Sequence, residues 1–353
     1  VANWYCSREQ VKTAANVGGA DKDAQIDRLI EAESRRIERA TRRIFIPKTQ
    51  TRLYRWPLPG NEDSDVLWLD FDLISVTTLQ TKAQDSSPTT ISSSDYFLEP
   101  QAFGPPYDRI EIDSSSSAAF EGGDTPQRSI SVTGSWGYCN DTRSAGTVAS
   151  GLSSSAAATS MVCSDGSLID VGDTLLIESE AVFVSDRSFA ALDSILVNDA
   201  SITADRADVT ITVDASHGIK AGEVIRLESE QMYVEVVSGN DLTVQRAYNG
   251  TVLAAHANDT PVHINRTLTI ERGVNGTTAA THSDDTAVSA YEVPFDVREL
   301  CAAASVAALH QESAGWGREI GTGEGAREMT GRSLAELRKD VVAHFQRPRI
   351  GAI

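Results

Sequence analysis

The stretch LTVQRAYNGTVLAAHANDTPVHI (residues 242–264) is followed almost at once by LTIERGVNGTTAATHSDDTAVSAY (residues 268–291). Further upstream, GDTLLIESEAVFV (172–184) is echoed by GEVIRLESEQMYV (222–234). The upstream halves are 50 residues apart (172 to 222), the downstream halves only 26 (Asn249 to Asn275). A tandem repeat has one spacing, so simple tandem duplication is excluded. The order first half, first half, second half, second half is that of one unit inserted into another. The inner unit covers about 208–264, and the outer is split between about 156–187 and 267–291. A worn third copy in SILVNDASITADRA is the rival explanation, but that stretch lacks both the NGT and the histidine. Each unit is expected to be a small β-fold, barrel- or sandwich-like. Asn249 with Gly250, and Asn275 with Gly276, supply the tight turns that this dipeptide favours.

The flanks read differently. SREQ (7–10) has the spacing of a capping box, and Gly18 with Gly19 is expected to stop the short helix that it opens. From Asp21 a longer helix places Ile26, Leu29, Ile30, Ile37, Ala40 and Ile44 on one face, with Pro47 as its stop. Residues 51–138 alternate or run apolar between Gly, Pro, Ser and Asp, as strands of an antiparallel sheet do. Helix returns after Pro294, with Val297, Leu300, Cys301, Ala304, Ala308 and Leu309 as its buried face, and SLAE (333–336) opens a last one. The spacer after Asn140 is rich in Ser, Ala and Gly, as a junction should be. The expected fold class is therefore α+β. A host domain of about 1–140 plus 292–353, a small helical bundle joined to an antiparallel sheet, carries an inserted all-β module of about 141–291 made of two nested repeats.

The formal net charge of −19 over 353 residues argues against a general nucleic-acid binder, because neutralising phosphates takes Lys and Arg. No apolar run approaches membrane-spanning length and no charged-then-apolar leader opens the sequence, so a soluble, unexported chain is expected. Cys6, Cys139, Cys163 and Cys301 form no CxxC and read as free thiols of a reducing compartment.

No catalytic constellation emerges from the spacing. His256 and His282 occupy matching positions, and so do Glu180 and Glu230, with Arg246 and Arg272 opposite in pattern. Duplication produces such matches without any metal, and a Glu–Arg ion pair holding each unit together is the economical reading. The NGT sequons matter only in a secreted chain, and the acidic GxG run at 321–325 lacks the preceding strand of a phosphate loop. No cofactor and no metal are expected. Arg35, Arg36, Arg39, Arg42 and Arg43 form a basic stripe in an acidic protein. It is either a solvated helix end or a contact with an acidic neighbour or DNA phosphates.

The flanking segments resemble the head–tail connector (adaptor, or head-completion) proteins of long-tailed bacteriophages. The residues that carry the resemblance are DKDAQIDRLIEAESRRIERATRRIF (21–45), LISVTTLQT (73–81), DYFLEP (95–100), ISVTGSWGY (130–138), VPFDVRELCAAASVAAL (293–309) and HFQRPRI (344–350). The repeats resemble modules found in various phage structural proteins. The resemblance implies a structural, non-enzymatic virion protein at the neck, assembled in the host cytoplasm. It implies a ring, usually of twelve copies, docked on the portal, with a tail or neck protein below and packaged DNA passing through unbound. It also implies that the C-terminal segment reaches the portal, through Phe345, Arg347, Pro348, Arg349, Ile350 and Ile353, and that the folded host does not need these residues. The large insertion departs from typical members. The alternatives are another tail or baseplate part, or a host-surface glycan binder using the β-module.

Overall fold

A computed structural model describes residues 3–57, 65–199, 201–313, 319–320, 327–328 and 332–347. It is α+β and mostly β, with four helices and two large antiparallel sheets among the described residues.

Helix α1 (Arg8–Ala15) starts at a complete capping box. Ser7 Oγ accepts from the Gln10 amide at 3.1 Å and Gln10 Oε1 accepts from the Ser7 amide at 3.2 Å. Asn16, left-handed at φ 52°, ends it ahead of the two glycines expected to do so. Helix α2 (Asp23–Thr41) likewise stops short of Pro47, because Arg42 turns left-handed and returns its amide to the Glu38 carbonyl at 2.7 Å. Ile44 therefore lies beyond the helix, and Phe45 turns into the core at 1% exposure.

The first sheet holds β1 (Lys48–Tyr54), β2 (Val66–Thr81), β3 (Thr89–Ile91), β4 (Tyr96–Glu99), β5 (Tyr107–Ile112) and β6 (Ile130–Trp136), in the order β1-β6-β2-β5-β4 with β3 on β2. The stretches DVLWLDF and LISVTTLQT, which read as two strands, are one 16-residue strand. A register shift between Trp68 and Leu73 bends β2 across the sheet, as bulges do.

Between β6 and the third helix the described residues hold only strands and two single 3-10 turns. These strands are β7 (Thr142–Thr147), β8 (Ser160–Val162), β9 (Thr174–Ile177), β10 (Glu180–Leu196), β11 (Ser201–Ile202), β12 (Thr210–Thr212), β13 (Val224–Leu227), β14 (Glu230–Ser238), β15 (Asp241–Gln245), β16 (His256–Ala257), β17 (Pro261–Glu271) and β18 (Ala287–Tyr291). The main sheet runs β12-β15-β14-β13-β17-β10-β9-β18-β7, with β8 on β17, while β11 and β16 pair separately. Two long strands, β10 and β17, lie antiparallel at its centre. Phe183 to Ser188 pair with Thr267 to Glu271 at one end, and Ala190 to Leu196 with Pro261 to Ile264 at the other. Each end covers its own apolar cluster. One is built around Leu175, Ile177, Val182, Leu268 and Ile270. The other uses Ile225, Leu227, Met232, Leu242 and Val244.

Helix α3 (Phe295–Ser313) buries Val297, Leu300, Cys301, Ala304, Ser305 and Leu309. Two short strands, β19 (Glu319–Ile320) and β20 (Arg327–Glu328), pair on either side of the GxG run at 321–325. Helix α4 (Arg332–Phe345) takes Ser333 inside its first turn rather than before it. Both ends of the chain share one core, in which Tyr5, Ile26, Ile30, Ile37 and Phe45 meet Leu300, Leu309, Val341 and Phe345.

The expectation that the fold does not need the C-terminal segment is corrected at its start. Phe345 and Arg347 are 4% and 7% exposed. Phe345 packs edge-on against Phe45 and Tyr138, and Arg347 donates Nη2 to the Leu69 carbonyl at 2.8 Å while pairing with Asp72. Pro348, Arg349, Ile350 and Ile353 lie outside the described residues.

Candidate functional site

The polar residues singled out by the repeats converge on two buried clusters of the same design. In each, a two-residue turn joins a hairpin, β9 to β10 or β13 to β14; it carries the first glutamate of the ESE triplet, and the second opens the next strand. Glu180 has a fully buried side chain. It accepts from Arg272 Nε and Nη2 at 2.6 Å each, from the Gly273 and Ala280 amides at 3.0 Å each, and faces His282 Nε2 at 2.9 Å. Glu230, equally buried, accepts from Arg246 Nε and Nη2 at 2.8 and 2.9 Å. The Ala247 and Ala254 amides donate to it at 2.9 and 3.0 Å, and His256 Nε2 stands at 2.9 Å. Arg272 spends its remaining donors on the Ser153 and Ala280 carbonyls, and Arg246 on those of Thr203, Asp208 and Ala254.

Burial pushes each central carboxylate up. The guanidinium, the amides and the imidazole outweigh it and hold Glu180 and Glu230 at about 2. A carboxylate so saturated, with no exposed surface, has no lone pair left for a substrate. His256 and His282, matched in the repeats, sit in separate clusters, and every ring nitrogen already faces a carboxylate oxygen.

Glu178 and Glu228 escaped the sequence reading. Their Oε2 atoms meet His282 and His256 Nδ1 at 2.8 and 3.0 Å. Both are left-handed, at φ 54° and 51°, an uncommon conformation for a side chain of this size. The available signal was the first glutamate of each ESE, which repeats as faithfully as the second.

The Asn-Gly pairs are not hairpin turns. They sit in the two 3-10 turns, Tyr248–Gly250 and Val274–Gly276, with Asn249 and Asn275 left-handed, and both turns touch the flanking segments. A side chain on Gly276 would strike the Thr49 carbonyl oxygen of β1. Gly250 lies against Gly18 and Gly19 in the link between α1 and α2. Asn275 Nδ2 donates to Asn3 Oδ1 at 2.9 Å, and Trp4 packs edge-on against Phe183, centroids 5.4 Å apart.

A second joint forms at α1. Arg8, buried, donates Nε and Nη2 to Asp27 at 2.8 and 2.6 Å and Nη1 to Asp186 at 2.8 Å. Its amide reaches the Val171 carbonyl at 3.0 Å, while Ser7 Oγ donates to Asp170 at 3.0 Å and Glu9 accepts from the Val171 amide at 3.0 Å. Burial first, and Asp170 second, push Glu9 up to about 7. A cavity of about 250 Å3 opens beside this joint, lined among others by Trp4, Cys6, Arg143, Asp170, Tyr291 and Arg298.

The arginine stripe divides. Arg36 and Arg39 are exposed, Arg36 pairing with Glu33 and Arg39 reaching the Arg35 carbonyl. Arg35 turns inward to Glu38 and the Asn3 carbonyl. Arg43 binds Asp72 and the Phe345 carbonyl and lies over the Tyr138 ring. Arg42, half-buried, closes α2. Two of the five are therefore spent inside the fold. No helix among the described residues is long and apolar enough to cross a membrane. No protein-family model matches the chain, and no curated protein matches it.

Proposed function

We propose that the chain is a structural virion protein, a head–tail connector subunit whose ring docks on the portal and continues the DNA channel, carrying an inserted module of two nested β-repeats. One observation carries this reading. Phe45, Tyr138 and Phe345 belong to three of the segments on which the connector resemblance rests, and they form one aromatic cluster with centroids 5.4–5.5 Å apart. The segments thus belong to one body, although more than 150 residues intervene between Tyr138 and Val293.

The buried clusters support a building part rather than a catalyst. In an enzyme, Glu, Arg and His at hydrogen-bond distance would leave one face to substrate. Here two copies of the set are closed off and saturated by the chain itself. Nesting is supported by the same pairs: Glu180 meets Arg272 across 92 residues, and Glu230 meets Arg246 across 16 within that span. On this reading the inner unit begins near Ala190, where β10 passes from one apolar cluster to the other, so SILVNDASITADRA opens that unit and is no third copy. A ring of chains each at −19 surrounds the channel with negative potential, which keeps DNA sliding without adhesion.

Cryo-electron microscopy of virions that contain the chain tests the proposal. A ring of this density beneath the portal is expected. Density for the chain confined to the tail, the baseplate or the capsid surface would sink it.

A further inference from the structure

We propose that Cys6 and Cys301 form an oxidative cross-linking site, at which a small peroxide converts two buried thiols into a disulfide. The two Sγ atoms already touch, 3.4 Å apart, although 295 residues separate them in sequence. All four cysteines are free, and these two are 5% and 0% exposed. Bond formation requires the sulfurs to close to about 2.05 Å, a movement that side-chain rotation supplies when they start in contact. Among the described residues, neither of the other two meets a second thiol. Cys139 faces the Phe45 and Glu292 carbonyls, and Cys163 that of Arg266.

The route in is visible. Cys6 lines the cavity of about 250 Å3 at the joint with α1, and Cys301 lies behind it on α3. Hydrogen peroxide is small enough for that space. Cys6 sulfur attacks one peroxide oxygen, the O–O bond breaks, and the leaving hydroxide takes up the thiol proton as water. The sulfenic acid on Cys6 then meets the Cys301 sulfur, the S–S bond forms, and a second water leaves. Two thiols lose two electrons and two protons, and one peroxide becomes two waters. Cys301 is set up for the second step. Ser34 Oγ lies 3.4 Å from its sulfur, within reach of the thiol proton that must leave. The bond would tie the segment ahead of α1 to α3, next to the cavity, and close a loop running through nearly the whole chain.

The test treats the full chain with hydrogen peroxide under native conditions, then alkylates under denaturing ones and maps the peptides. The expected result is a fall in alkylatable thiols from four to two, a loss of two hydrogens in intact mass, and one cross-linked peptide pair containing Cys6 and Cys301. Tm should rise by several degrees and return with dithiothreitol, because the closed loop restricts the unfolded chain. Cys6→Ser should abolish both the bridge and the rise. Four thiols left after treatment, a bridge to Cys139 or Cys163, or Cys6 carried to sulfinic acid with Cys301 still free would each overturn the proposal.

Discussion

Arg347 donates to the carbonyl of Leu69 at 2.8 Å, joining the second residue after α4 to the central strand of the first sheet. The same guanidinium pairs with Asp72, which Arg43 also holds at 2.8 Å, and the Arg347 amide reaches the Thr41 carbonyl. Truncation after His344 should therefore destabilise the fold more than truncation after Arg347 does. Phe345→Ala alone should cost about 3–5 kcal/mol, and Arg347→Ala about 2–3 kcal/mol, since Asp72 keeps one partner. Urea melts of the four variants decide it. Equal stability of the two truncations would show that the last turn contributes nothing.

Replacing either central carboxylate should be among the costliest single changes in the chain. Glu180→Gln and Glu230→Gln each leave a buried guanidinium without its counter-charge, a loss of about 3–5 kcal/mol. The pH dependence has a definite sign. Both glutamates are held at about 2 in the fold, below the ordinary value of about 4.3 in the unfolded chain. Their contribution is complete above about pH 4.3 and disappears as pH falls toward 2. Melts from pH 7 to pH 2 should fall steeply over that window, and less steeply in each Gln variant.

Glu9 has the opposite sign. Its carboxyl is raised to about 7, so the fold favours the protonated form and loses stability as pH rises from about 4.3 through 7. Glu9→Gln keeps an acceptor for the Val171 amide and removes the charge beside Asp170. The variant should match the parent at pH 4 and exceed it at pH 8 by on the order of 1 kcal/mol. A gain equal at both pH values would mean that charge is not the cause.

Gly276 has no room for a side chain. An added methyl would meet the Thr49 carbonyl at a left-handed backbone of φ 80°, whereas Gly239, at φ 64°, has nothing within 4 Å. Ala at 239 should cost about 1 kcal/mol from conformation alone. Ala at 276 should cost about 3 kcal/mol or more, because backbone must also shift. Thermal melts of the two variants, with hydrogen exchange in β1 as a local readout, separate conformation from contact.

Exchange of residues 142–290 for a Gly-Ser linker should not leave the flanks as they were. Arg8 would lose Asp186 and the Val171 carbonyl, Trp4 would lose Phe183, and Glu9 would lose its donor. The expected protein keeps α2, α3 and the first sheet, and exchanges amide protons rapidly through residues 3–17. Full protection of α1 in that variant would show the joint to be incidental.

Local features could be read from the chain itself. Ser7 and Gln10 announce the start of α1 because a capping box is completed within four residues, and the apolar period of α2 and α3 names their buried faces. The matched positions of Glu180, Arg272 and His282 with Glu230, Arg246 and His256 were visible as a pattern, since duplication copies sequence before anything folds. The Glu–Arg pair within each unit was legible with it, but not that His282 closes on the Glu180 carboxylate across 102 residues, because that depends on how β10 and β17 pair, and neither strand carries that register locally. The helix ends were misread at Pro47 and Gly18, since the left-handed turns at Arg42 and Asn16 serve core packing and tight docking that lie elsewhere in the chain. The Asn-Gly pairs were legible as turns, but their approach to Thr49 and Gly18 depends on packing between segments far apart in the sequence. Phe345 and Arg347 show the same division. Phe345 continues the apolar period of Leu334, Leu337 and Val341, whereas Arg347, beside a proline, looks like a free tail, and only the space between Phe45, Tyr138 and Asp72 makes both core.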